Sequence, residues 1–167
     1  MTEHLFDHDR GAVGFSSVKQ DWATPRALFD AIDAEFGFSL DAAATAHNAK
    51  CPNYLSPDDN ALALDWTERS GGGAVWLNPP YGREVGAWIG KAAHEARNGL
   101  VVVCLTFART DTRWWAESAM RAAEIRFLTR RVRFEGAPAG APAPSCLLVF
   151  DEGRRVPAMR QWSPPRT

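Results

Sequence analysis

The chain of 167 residues is 46% hydrophobic and 23% charged, enough to fill the core of about one domain and too apolar to remain disordered. It holds no run of about 18 apolar residues and no charged, apolar, small-residue leader, so neither a membrane span nor a signal peptide is indicated and a cytoplasmic setting is expected. The net charge of −1 argues against an evenly basic polyanion binder, yet residues 1–100 carry 8 Lys+Arg against 14 Asp+Glu while residues 101–167 carry 11, every one arginine, against 6.

Residues 1–20 lack hydrophobic periodicity and carry Gly11 and Gly14, which reads as a flexible N-terminal arm. Thr24-Pro25 is a helix-start pair, threonine as N-cap and proline at the first helical position, where its missing N–H is no loss. Leu28, Phe29, Ile32 and Phe36 then recur at helical spacing up to Gly37, predicting a helix over 25–35. "FSLDA" (38–42) is a short strand ending on an acid, and residues 43–73, with Pro52, Pro57 and Gly71-Gly72-Gly73, read as loop and short helix. "AVWL" (74–77) is a buried strand, and 84–97 is a helix with Val85, Trp88, Ile89, Ala92 and Ala96 at helical spacing and Asn98-Gly99 as its stop.

"LVVVCLTF" (100–107) is the strongest strand, 112–122 is helical, and "EIRFL" (124–128), "RVRFE" (131–135) and "SCLLVFD" (145–151) are further strands, the last two separated by "GAPAGAPAP". Strands alternating with helices predict an α/β fold with a mostly parallel sheet, and the loop between the last two strands predicts an antiparallel C-terminal edge pair. One domain over 21–153 and a tail over 154–167 complete the expected organisation. Cys51, Cys104 and Cys146 are odd in number and form no CxxC pair, and His4, His8, His47 and His94 lack ligand spacing, so no disulfide framework and no metal site is expected.

The stretch "VWLNPPYGR" (75–83) carries the chemistry. In an open α/β sheet, ligands sit outside the carboxyl ends of the strands, and Asn78-Pro79-Pro80-Tyr81 falls just past one. Two consecutive prolines fix φ and surrender both N–H groups, so the carbonyls around them are held rigidly. Asn78 adds a side-chain carbonyl and Tyr81 a flat ring. Together they suit a planar group bearing an NH2, with two acceptors for its hydrogens and an aromatic face to stack on.

Asn-Pro-Pro-Tyr after a buried strand resembles the motif of S-adenosylmethionine-dependent amino-methyltransferases. With Trp22-Ala23-Thr24-Pro25, Leu40-Asp41-Ala42-Ala43, the segment 48–66, Ala108-Arg109-Thr110-Asp111-Thr112 and Arg131-Val132-Arg133-Phe134, the chain over about residues 21–151 is similar to the small phage-type DNA N-6-adenine methyltransferases. The resemblance implies a Rossmann-like methyltransferase fold, abbreviated, and S-adenosyl-L-methionine as cofactor. It places Trp22, Thr24 and Pro25 near the cofactor's methionine carboxylate, Asp41 on its ammonium with Ala43 beside it, and Asp59, Asp65 and Trp66 on its ribose and adenine. Asn78, Pro79, Pro80 and Tyr81 are the implied catalytic group. A glycine-rich loop after the first strand is absent, Ala42-Ala43-Ala44-Thr45 standing in its place.

On this reading Asn78 and Pro79 bond the two hydrogens of the adenine N6 amine, and the base is flipped out of the duplex onto Tyr81. Arg83, Arg109, Thr110, Asp111, Arg130, Arg131 and Arg133 are the expected DNA contacts, and Trp114 and Trp115 can stack or wedge. The expected partner is DNA, bound by a monomer or a homodimer. RNA or a protein glutamine as acceptor, or a catalytically inactive DNA-binding relative, are the open alternatives.

Overall fold

The computed structural model describes residues 22–154 and 158–164, so the expected arm at 1–20 lies outside the described residues. Helix α1 (Arg26–Phe36) leads into β1 (Phe38–Asp41); a 3-10 turn at Pro57–Asp59 and the short α2 (Trp66–Ser70) precede β2 (Ala74–Leu77); α3 (Val85–Arg97) leads to β3 (Val102–Phe107). After α4 (Arg113–Glu117) come β4 (Glu124–Leu128), β5 (Ser145–Phe150) and β6 (Ala158–Trp162). The six strands form one sheet in the order β1-β2-β3-β5-β4-β6, with β5 antiparallel to both of its neighbours and the other pairings parallel.

The α/β fold is therefore the expected one, but the antiparallel strand is not at an edge. All six residues of β5 are buried, with Cys146, Leu148 and Phe150 in one core and Leu147 and Val149 in the other. A strand that is apolar on both faces belongs inside a sheet. The edge is β6, exposed over Ala158–Gln161 and parallel to β4, so the sheet continues into the expected tail. The expected strand at 131–135 does not form. Val132 and Phe134 are buried, but the Pro/Ala/Gly loop folds back through Ala141 N–H to the Val132 carbonyl at 2.7 Å, and the segment keeps a single bridge from Glu135 to Ala23.

Successive residues of the central strands point to opposite cores. Val75, Leu77, Val102 and Cys104 face α2, α3 and α4, while Trp76, Val103, Leu105 and Phe107 face α1. On the α1 side Phe29 meets Trp76 edge-on at 5.5 Å. Helix α1 stops where expected, at Gly37 with φ of 64°, whose N–H reaches the Asp33 carbonyl. Its start differs: Pro25 is the N-cap, and the buried Thr24 hydroxyl makes no hydrogen bond among the described residues. The first free amide, on Arg26, donates instead to the Glu135 carboxylate at 3.0 Å. Among the described residues no helix is long and apolar enough to cross a membrane, and no group of three or more metal-binding side chains assembles.

Candidate active site

The carboxyl ends of β1 and β2 border a cavity of about 380 Å3, within the ~300–1,000 Å3 span of small-molecule sites. The loop after β1 contributes Ala43, Ala44 and Thr45, the Asn78-Pro79-Pro80-Tyr81 turn contributes Asn78 and Pro80, and α3 with its N-cap contributes Trp88 and Glu84. Trp22 closes the cavity beside Asn78.

Asn78 is held from both ends of its amide. Its Nδ2 donates to the Trp22 carbonyl at 2.8 Å, and its Oδ1 accepts from the Tyr81 hydroxyl at 3.0 Å. With one Oδ1 lone pair taken by Tyr81, the other remains for a further donor. No described residue donates to the Pro79 carbonyl. The Tyr81 ring lies on Phe107 at 4.3 Å and 19° and meets Phe134 edge-on at 5.7 Å, so one face is covered from within the protein. Burial pushes the Tyr81 phenol well above its ordinary pKa and keeps it a donor. Tyr81→Phe should keep the ring stack but free the Asn78 amide, lowering kcat up to about tenfold with cofactor affinity unaltered, the scale of one neutral hydrogen bond; steady-state kinetics with a cofactor titration check this.

The acidic residues expected on the cofactor do not line this cavity. Asp41 is 3% exposed and accepts from Lys50 N–H at 3.0 Å and Ala43 N–H at 3.4 Å, so its carboxyl shapes the loop after β1. Burial pushes it up to about 6 against those two bonds. Asp59 accepts from the Ser56 amide and hydroxyl at 2.7 and 2.6 Å, closing the 3-10 turn, and Asp65 caps α2 through Thr67 N–H. Trp66 is fully buried, its indole N–H bound to the Ala61 carbonyl, so its ring offers no surface to a ligand. None of these four side chains lines the cavity, and the three carboxylates bond nearby backbone amides instead. Nor do Thr24 and Pro25 line it: the α1 start is already occupied by Glu135. Ala43 and Trp22 do line it.

Glu84 and Trp88 were not singled out from sequence as site residues. Trp88 shares the spacing of Val85 and Ile89 and so reads as core, yet it lies one helical turn after Glu84 and shares its face. That spacing, directly behind the Asn78 turn, was the signal available.

Along the same rim toward β6, Arg83, Arg109, Thr110 and Asp111 are exposed. The stack of Tyr81 on Phe107 ties the β3 tip, from which Arg109 follows, to the Asn78 turn. Further along, Arg130, Arg131 and Arg133 line a groove of about 670 Å3 with Pro25, Leu28 and Ser163. Trp115 is buried and Trp114 packs half-buried against the same core, so neither stands free as a wedge. The eleven late arginines are not all surface charge: Arg126 is buried against Glu124, where the exposed Arg154 and Arg160 also converge.

A family model described as DNA N-6-adenine-methyltransferase (Dam) matches residues 14–155. The chain is 29% identical over 143 residues to a DNA N-6-adenine-methyltransferase of Haemophilus phage HP1 (strain HP1c1), covering 81% of this chain and 80% of that one. It is 33% identical over 110 residues to a DNA N-6-adenine-methyltransferase of Escherichia phage T1, covering 65% of this chain and 44% of that one.

Proposed function

This chain belongs to the DNA N-6-adenine-methyltransferase (Dam) family, and from that membership we propose that the cavity beside Asn78 is where it methylates the N6 amine of adenine in DNA. Adenine-N6 methylation of DNA is the activity of the family, and dependence on S-adenosylmethionine follows from it. The observation that carries the assignment of the site is the Asn78 amide, fixed by the Trp22 carbonyl and the Tyr81 hydroxyl at the mouth of a cavity of ligand size. When bound, the cofactor supplies an electrophilic methyl group on a sulfonium. The cavity fits it: besides its volume, it presents the Asn78 amide, the Glu84 carboxylate and part of the Trp88 side chain.

The amine of adenine is a poor nucleophile because its lone pair is delocalised into the ring. Asn78 Oδ1 and the Pro79 carbonyl accept its two hydrogens and favour a pyramidal nitrogen whose lone pair is free to attack. Alignment of the two reactants supplies most of the acceleration, of order 7–11 kcal/mol at best. No dedicated base is needed before transfer: the methyl–sulfur bond would break with its electron pair left on a neutral thioether, and the methylated N6 would then give up one of its protons to solvent. A base stacked in a duplex cannot enter such a site, so the adenine is flipped out and packs on the Tyr81 face turned away from Phe107.

DNA lies along the arginine side of the rim, with Arg83 and Arg109 nearest the site and Arg130, Arg131 and Arg133 on the outer groove. Replacing Arg130 and Arg133 by alanine should weaken DNA binding across sequences and flatten its salt dependence by about one unit of log–log slope for each phosphate no longer neutralised; affinity measured from 50 to 200 mM salt tests it. The reading of the whole site is tested by offering labelled cofactor to DNA, RNA and protein in parallel and identifying the modified base. Label in anything but N6-methyladenine of DNA overturns it.

A further inference from the structure

The orientation of the Asn78 amide decides whether it meets an amine with its oxygen or with its own N–H groups. Of its two partners, only one reads that orientation. A hydroxyl both donates and accepts, so Tyr81 can satisfy either end of the amide, and it has the Leu105 carbonyl at 3.4 Å as an alternative acceptor. The Trp22 carbonyl can only accept, so it takes Nδ2, at 2.8 Å, and leaves Oδ1 on the other side. Whatever fixes Trp22 therefore fixes what Asn78 offers a substrate.

Trp22 is held from the segment 131–135, in which Arg131, Arg133 and Glu135 are exposed and Val132 and Phe134 are buried. The Phe134 ring meets the Trp22 ring at 5.5 Å and the Tyr81 ring at 5.7 Å. Glu135 then clamps the residues that follow Trp22 twice. Its N–H donates to the Ala23 carbonyl at 2.9 Å and its Oε1 accepts from Arg26 N–H at 3.0 Å, so one residue holds two points of the chain between Trp22 and α1. The same carboxylate takes the Lys50 ammonium at 3.2 and 3.3 Å, and the Lys50 side chain is only 8% exposed. A nearly buried ammonium needs a charged partner, and Glu135 supplies it. Lys50 N–H in turn bonds Asp41, whose other oxygen accepts from Ala43 N–H on the cavity wall. Building on the site proposed above, we infer that Glu135 is a positioning residue for methyl transfer: through Ala23 and Arg26 it sets the Trp22 carbonyl, and through that carbonyl the end of the amide that Asn78 turns to the substrate amine.

The test is single-turnover methylation of adenine-containing DNA by the full chain, at saturating DNA and cofactor, in two backgrounds. Glu135→Ala should slow transfer by about five- to tenfold, the scale of one lost hydrogen bond, with affinity for S-adenosylhomocysteine within about twofold of wild type. In Asn78→Asp the two carboxylate oxygens are equivalent and leave no orientation to set, so adding Glu135→Ala there should cost less than about twofold. Glu135→Gln keeps an acceptor for Arg26 N–H but loses the charge facing Lys50. Its rate should lie between those of Glu135→Ala and wild type, and it takes the place of the alanine variant in both backgrounds if that one does not fold. An undiminished rate overturns the assignment. So does an equal loss in both backgrounds, because a residue that only supports the fold acts without regard to the side chain at position 78. Absence of N6-methyladenine from the product of the unaltered protein sinks the underlying site and this inference together, whereas the first two results leave the site standing.

Discussion

Asn78→Ala should lower kcat for DNA methylation by at least about 10²- to 10³-fold, the loss seen when a single preorganised hydrogen-bonding group is removed from a reacting centre. S-adenosylhomocysteine should bind nearly as before, since Asn78 forms only one part of a cavity that also includes Ala43, Thr45, Leu55 and Trp88. The substitution removes the Oδ1 acceptor and releases the Trp22 carbonyl and the Tyr81 hydroxyl together. Asn78→Asp separates these effects. It keeps an acceptor for Tyr81 and for the amine but turns an oxygen toward the Trp22 carbonyl where an N–H had donated. Its kcat should therefore fall less than that of the alanine variant. Single-turnover methylation at saturating DNA and cofactor distinguishes the chemical step from binding, and an undiminished rate in Asn78→Ala would remove this residue from the mechanism.

Arg126→Ala should be the most destabilising single change, at about 3–5 kcal/mol, because it breaks a buried charge network and empties the volume of a fully buried side chain. The Arg126 side chain is 1% exposed and bonds both Glu35 oxygens at 2.6 Å and Glu124 at 2.8 Å, linking α1 to β4; Arg154 and Arg160 complete the cluster on Glu124. For a chain of this size that loss corresponds to a fall in Tm of about 10 °C or more. Arg126→Met should be less harmful, since it fills the volume and Glu124 keeps Arg154 and Arg160 as partners while Glu35 loses its bidentate one.

The same cluster sets an acid limit on stability. The Arg126 bonds hold Glu35 below the usual carboxylate range, and although burial opposes it, bonds from Arg126 and Arg160 hold Glu124 at about 2. Both folded-state values lie below the unfolded one near 4.5, so this stabilisation is complete above that pH and is lost as pH falls toward 2. Denaturant melts between pH 2 and 7 should show a shallower acid slope in Arg126→Ala than in wild type.

Local patterns in the chain suffice for a large part of this molecule. Helical spacing from Leu28 to Phe36 with Gly37 as its stop, the apolar runs at 74–77 and 102–107, and a proline pair directly behind a buried strand are short-range signals, and each produces its element or turn wherever the rest of the chain lies. The Asn78 turn is legible for the same reason: its chemistry depends on adjacent residues. The position of β5 inside the sheet was also written in its run of five apolar residues from Cys146 to Phe150, but the Pro/Ala/Gly loop before it suggested an edge more strongly.

Tertiary contact alone decided which polar side chains remain available to a ligand. Asp41, Asp59 and Asp65 look like ligand contacts in a loop-rich segment, and in the folded chain each accepts hydrogen bonds from nearby backbone amides. Thr24 loses its capping role to Glu135, 111 positions away, and Arg126 leaves the basic surface for Glu35 and Glu124. Conversely, folding brings a cavity to the face of α3 that carries Glu84 and Trp88. A hydrogen bond is short and directional, so its partners depend on positions fixed only when distant segments pack, whereas hydrophobic periodicity needs nothing beyond the next turn of the chain.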